Sequence, residues 1–377
     1  MNLSFPLSPR ERWIHRVFFG FIFFIVLGFV ILVSAQLTSR FATTDFRAQY
    51  TGAVLLSQGE GKNLYRLSTQ TQVQKQFAPI RREEQLLPFL NPPFVAAVLT
   101  PLALVPFSTA YIIFAGSNLL FVCLIFFLTQ KIQTRNASTD YVGIPLLITA
   151  YLPFWVTVIN GQFSLVLSVS VLGGMLLLLH KRNWEAGVVL SLLLVKPYFL
   201  IFPLIYFMKV RNWRTLVGLG TGICSLIMVS FCLVGSTGMK EYLLLLMQAS
   251  HWINEYGTNT AAQLTGFKFF QGYVSQMSIS ILSFLGIAWL FMRMSRTEWA
   301  QMPVLQVWSI LLLGGFILSP HTHYHDLSLL FPVVLLLYRE TYLFILAMLL
   351  SLCLFYAVPE VGYGAFILIF LAILKKR

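Results

Sequence analysis

Val17-Phe18-Phe19-Gly20-Phe21-Ile22-Phe23-Phe24-Ile25-Val26-Leu27-Gly28-Phe29-Val30-Ile31-Leu32-Val33 is an apolar run without a single charge. Arg10, Arg12 and Arg16 stand just before it, and comparable runs recur as far as residue 374. A helix needs about 20 such residues to cross the hydrocarbon of a bilayer. Repetition of the pattern predicts an all-α polytopic membrane protein. Composition agrees: 58% of residues are hydrophobic and 10% charged, with mean hydropathy +0.78. Soluble domains carry about 25% charged residues. The pattern argues against a β-barrel, because the segments do not alternate apolar and polar residues over about ten positions. The 377 residues fit a single integral-membrane domain spanning 1–377.

The first run is longer than the apolar part of a secretory signal, so it reads as a retained anchor, although Val33-Ser34-Ala35 mimics a cleavage site. Cys123, Cys224, Cys232 and Cys353 lie in apolar runs without CxxC spacing. They predict no disulfide framework or zinc site, and read as small buried residues between helices.

The net charge is +13, but its placement does not point to nucleic acid. Most of the 26 Lys and Arg residues fall in short clusters between apolar runs, such as Lys131/Arg135, Lys181/Arg182, Lys209/Arg211/Arg214, Arg293/Arg296 and Lys375/Lys376/Arg377. With those clusters on the cytoplasmic side, the positive-inside rule puts both termini inside. Spans then fall at 17–38, 107–130, 140–159, 162–180, 212–235, 276–294, 302–319, 326–338, 340–357 and 361–374. The pieces 92–106, 184–195 and 197–208 are short and bounded or interrupted by proline, as re-entrant or broken helices are. Together they predict a bundle of about 10–13 transmembrane or re-entrant helices. No internal repeat stands out.

The outer side collects the polar residues. It holds a long first loop at 39–91, with short helices expected at 46–56 and 69–77, and a second loop at 236–275. Asp45 opens the first loop and is one of only three aspartates, with Asp140 and Asp326. It can act as a general base toward a hydroxyl, with Arg47 holding it ionised, or it can cap the helix that follows. Tyr50 lies on the same helix. Asn91, before Pro92-Pro93, either fixes a turn or reaches a cavity. Asn160 and Gln162 flank Gly161 in a tight turn, and their amides can bind hydroxyls. Lys196, set in apolar sequence, is expected to face a cavity or an anion such as a phosphate, or to snorkel. His321, His323 and His325, with Tyr324 and Asp326, suit hydrogen bonding to a phosphate or a sugar. Histidine-only spacing is weak support for a metal, and Asp326 also suits a helix N-terminus.

The order of these motifs resembles glycosyltransferase family 87. The resemblance rests on Asp45-Phe46…Tyr50, Gly59…Leu64-Tyr65, Pro92-Pro93-Phe94 with Pro101…Pro106, Gly161-Gln162, Ala186-Gly187…Lys196-Pro197, Arg211-Asn212-Trp213-Arg214 and Ser319-Pro320…Tyr324-His325-Asp326-Leu327. In the second outer loop, Thr258-Asn259-Thr260-Ala261-Ala262-Gln263 departs from the family's Asn-Gln-Ser stretch. The resemblance implies a GT-C-like bundle and a hexosyltransferase, mannosyltransferase-like, that uses a polyprenyl-phosphate sugar donor. The acceptor would be a lipid or glycan, with inversion at the sugar and Asp45 as the base. It implies a bacterial inner membrane, surrounding membrane lipids and a site open to the periplasm or exterior. No cofactor is firmly implied, and a divalent cation is compatible with the pattern. The competing readings are a transporter or lipid flippase, and a polysaccharide polymerase or ligase.

Overall fold

The computed structural model describes residues 44–78, 86–133, 151–249, 295–318 and 323–340, with isolated positions at 20, 28, 147–148 and 285. Apart from positions 20, 28, 285 and 340, the expected spans at 17–38, 276–294, 340–357 and 361–374 lie outside the described residues, and 140–159 is described mainly from Tyr151 onward. Among the described residues all regular structure is helical.

The expected first outer loop carries α1 (Phe46–Ser57) and α2 (Leu67–Gln74), close to the helices expected there. Two buried glutamines one turn apart explain how α2 holds its neighbour. Gln74 exchanges two 3.0 Å hydrogen bonds with the backbone of Leu87. Gln70 accepts from the Phe89 N–H at 2.7 Å and donates to the Leu64 carbonyl at 2.9 Å. Side-chain amides thus satisfy an extended segment that has no neighbouring strand, as buried backbone requires.

Helix α3 (Pro93–Leu99) starts on a proline, where a missing N–H costs nothing, and tightens into a 3₁₀ turn at Thr100–Leu104. Next come α4 (Phe107–Gln133), α5 (Leu152–Asn160) and α6 (Ser164–Leu179). Helix α7 (Asn183–Leu190) continues as a 3₁₀ turn, Ser191–Val195, and α8 (Tyr198–Lys209) follows Pro197. Helix α9 runs Trp213–Ala249. Two described segments, Phe107–Ile132 and Trp213–Ala249, are long and apolar enough to cross a membrane.

Helices α7 and α9 touch backbone to backbone. A Cβ on Gly187 would collide with the Thr215 carbonyl, and one on Gly218 with the Trp184 carbonyl. Small residues at such crossings are how helices approach closely in lipid. Helix α9 bends at Gly235 (φ 67°, ψ −175°), where the predicted span ends, and residues 236–249 of the expected second loop are helical. Cys224 and Cys232 are exposed instead of lying between helices. Cys224 follows the buried Gly222 by two residues, about 200° around the helix.

Beyond α10 (Arg296–Gln301) and α11 (Val304–Leu318), a 3₁₀ helix at Tyr324–Leu330 leads into α12 (Phe331–Glu340). This 3₁₀ helix is buried beside α5 and α6, which supply hydroxyls to its carbonyls. Thr157 bonds His325 O at 3.1 Å, Tyr151 bonds Leu327 O at 2.6 Å, and Ser168 bonds Ser328 O at 2.9 Å. Irregular backbone at membrane depth persists only where protein satisfies it in this way.

Candidate active site

The turn between α5 and α6 builds the first half of the site. Gly161 ends α5 with φ 69° and ψ 46°, a left-handed conformation that glycine adopts without strain. It also lies so near α1 that a Cβ there would stand 2.5 Å from Phe46 Cβ. Phe46 is held in turn by Phe114 and Tyr111, at ring distances of 5.1 and 5.7 Å. The Tyr111 hydroxyl donates to Ile159 O at 2.8 Å and ties α4 to the end of α5. One aromatic cluster therefore sets both the start of α1 and the α5–α6 turn.

Across that contact, Gln162 Nε2 donates to Asp45 Oδ2 at 2.7 Å. Asp45 occupies the N-cap position of α1, yet its side chain makes no capping hydrogen bond. Its carboxyl is pushed above the ordinary range by burial, and the Gln162 hydrogen bond, then the charges of Lys196 and Arg47, pull it back. Arg47 is buried, and its Nε has no hydrogen-bond partner among the described residues.

The second half forms around Asp326, which is 1% exposed. Lys196 Nζ pairs directly with Asp326 Oδ1. Ser164 Oγ donates to the same oxygen at 2.9 Å and lies 3.4 Å from Lys196 Nζ. Asp326 Oδ2 accepts from the His323 N–H at 3.1 Å, so the carboxylate also stabilises the start of the 3₁₀ helix. His325 Nε2 is 3.4 Å from Asp326 Oδ1, and the His323 and His325 rings stack at 5.3 Å.

The expected phosphate partner Lys196 is thus already matched by a carboxylate, and the snorkelling alternative does not describe a lysine paired this deeply. Ser164, which sequence reading did not single out, joins the two halves: it begins α6 two residues after Gln162. A hydroxyl at a helix start just beyond a polar turn was the available signal. Other expected contacts serve the fold in the described structure. Tyr50 donates to Val105 O at 2.8 Å, and Asn91 donates to Gln49 Oε1 at 2.9 Å while its carbonyl accepts from Tyr65. Asn160 is half-buried at the last turn of α5. His321 and the side chain of Tyr324 lie outside the described residues. Among the described residues no group of three or more His, Cys, Asp or Glu side chains converges as metal ligands do.

Residues 89–320, more than half of the chain, match the model of glycosyltransferase family 87. The matched stretch contains Gln162, Ser164 and Lys196, and the two carboxylates Asp45 and Asp326 fall on either side of it. No curated protein and no solved structure matches the chain.

Proposed function

The chain belongs to glycosyltransferase family 87, a family of membrane glycosyltransferases, and from that premise we propose that it transfers a hexose, mannose being the sugar expected, from a polyprenyl-phosphate donor to a hydroxyl of a lipid or glycan acceptor. The site faces the exterior of a polytopic GT-C-like bundle whose termini are cytoplasmic, in a bacterial inner membrane. The observation that carries the proposal is the state of Asp45: a carboxylate at a helix start that does not cap the helix and is held instead by Gln162. A carboxylate fixed in place, with its pKa raised by burial, is a stronger proton acceptor than a free aspartate.

In the proposed step Asp45 takes the proton of the acceptor hydroxyl. The acceptor oxygen forms a bond to the anomeric carbon, and the bond from that carbon to the phosphate oxygen breaks. The electron pair leaves with the polyprenyl phosphate, and the anomeric centre inverts through an oxocarbenium-like state. Lys196 has three N–H donors. Asp326 and Ser164 engage two, which leaves the third for the oxygen that gains charge. Arg47, with its unpartnered Nε beside Asp45, is the further cation available to the phosphate or the acceptor. His323 and His325 stand ready to hydrogen-bond the same anion or a sugar hydroxyl.

The test is purified enzyme given radiolabelled polyprenyl-phosphate mannose and a membrane-lipid acceptor extract. Transfer of label to an acceptor, lost in Asp45→Asn, supports the proposal. An intact donor in every extract, or full activity of Asp45→Asn, removes it.

A further inference from the structure

Two turns at one end of the bundle have the same geometry. Helix α6 ends with Lys181 N–H bonded to Leu178 O at 3.0 Å and Arg182 N–H to Leu177 O at 2.9 Å. Helix α8 ends with Arg211 N–H bonded to Met208 O at 3.2 Å and Asn212 N–H to Phe207 O at 3.0 Å. Both are Schellman closures, in which the residue after the cap takes the left-handed conformation that glycine normally supplies. Here that residue is Lys181 (φ 60°) in one turn and Arg211 (φ 58°) in the other. Among the described residues these are the only non-glycine positions with positive φ. A cation is held twice at a backbone position that disfavours any side chain, which points to a use for the side chain.

The chain direction locates the two turns. Helix α6 leaves the site at Ser164 and runs 16 residues to the first turn, about 24 Å away. Helix α7 returns to Lys196, α8 leaves again, and α9 starts beside α7 at the Trp184–Gly218 contact. Both turns therefore lie at the end opposite Asp45. Lys181, Arg211 and Arg214 have no carboxylate partner among the described residues, and Arg182 pairs with Glu185 at 3.0 Å. Trp184 (47% exposed) and Trp213 (62% exposed) stand beside these cations, and exposed Val217, Met228 and Phe231 continue along α9 toward the membrane interior.

We propose that the two turns bind the headgroups of anionic phospholipids in the leaflet opposite the site. This rests on the membrane embedding of the family and not on the sugar or the acceptor. Lys and Arg meet the lipid phosphates, the two Trp rings sit at headgroup level, and the apolar stripe of α9 meets the acyl chains. Favourable interaction with a helix C-terminus would account for Lys181 and Arg211 alone. It does not account for Arg214, which lies in the first turn of α9 where a cation is unfavourable, nor for the exposed tryptophans.

The experiment uses the full chain in lipid nanodiscs, with thermal unfolding and native mass spectrometry as readouts. Discs containing phosphatidylglycerol should raise Tm over purely zwitterionic discs, with phosphatidylglycerol retained on the protein. In Lys181→Gly combined with Arg211→Gly, the Tm in zwitterionic discs should hold or rise, because glycine relieves the positive φ. Its response to phosphatidylglycerol should fall by about half or more. Arg214→Gln, a surface change, should lower the same response without the backbone effect. An undiminished response in both variants would assign the cations to capping and overturn the proposal. A Tm rise of equal size with free glycerol phosphate in zwitterionic discs would also overturn it, in favour of a small-anion site. Sugar transfer by the double variant in zwitterionic discs should match the parent protein, so a failed lipid response stays distinct from a failed enzyme assignment.

Discussion

Gln162 Nε2 holds Asp45 Oδ2 at 2.7 Å across 117 residues of chain. The amide cannot change charge, so it positions the carboxylate and favours its ionised form without competing for a proton. That division of labour sets what each substitution should do.

Asp45→Asn should keep the fold, because its side-chain oxygen can still accept from Gln162. Sugar transfer should fall by about 10²–10⁴-fold, the usual worth of a positioned base. Thermal unfolding of the variant alongside label transfer from donor to acceptor checks both halves.

The pH dependence follows from the direction of the Asp45 shift. Burial raises its pKa and Gln162 lowers it. The base works when ionised, so activity should rise with pH along an acid limb above the ordinary aspartate value of about 3.9. Gln162→Ala leaves burial less opposed and should move that limb to higher pH. A limb unmoved by this substitution would mean that Gln162 does not set the charge of the base.

Lys196 and Asp326 form a buried pair, and removing one partner strands the other. Lys196→Met or Asp326→Leu alone should each cost about 3–5 kcal/mol, and the double substitution should recover much of that loss. Denaturation of the four proteins in detergent gives the coupling. Activity should stay low in the double variant, because the third Lys196 N–H is gone.

Gly161→Ala meets two obstacles, a positive φ and the side chain of Phe46. Strain and overpacking together should cost about 2–5 kcal/mol. Activity should fall further than stability alone requires, since the displaced turn carries Gln162. Comparison with a destabilised variant of equal Tm at Gly174, far from Asp45 in sequence and within α6, separates the two effects.

Much of the helical layout was legible before the structure. Prolines and short apolar lengths marked the broken pieces now seen as α3, α7 and α8: α3 and α7 each end in a 3₁₀ turn, and α8 starts after Pro197 and contains Pro203. The helices at 46–57 and 67–74 also fell within a few residues of their expected bounds. The partners were not legible. The place of Ser164 at a helix start marked it as polar, but nothing along the chain pointed to Asp326 as its partner. Lys196 and Asp326 lie 130 residues apart, and opposite charges at that distance can be matched only once the helices are placed. The Schellman turns were hidden because their usual marker, glycine, is replaced by Lys181 and Arg211. The reach of α9 beyond Gly235 was missed because a glycine with a polar sequence after it reads as the end of a span.

The separation of Lys196 from Asp326 also bears on how the protein is made. Ribosomes deliver Lys196 to the membrane long before Asp326. Until the 324–330 turn arrives, the lysine lacks its countercharge, and Tyr151, Thr157 and Ser168 lack the carbonyls that this turn supplies. A nascent or truncated chain ending before that turn leaves Lys196 and the Tyr151 hydroxyl without the partners they have in the finished protein, while Thr157 and Ser168 keep the carbonyls of Pro153 and Ser164, each at 2.8 Å. The same short segment thereby closes the polar interior of the bundle and brings Asp326 to the candidate site.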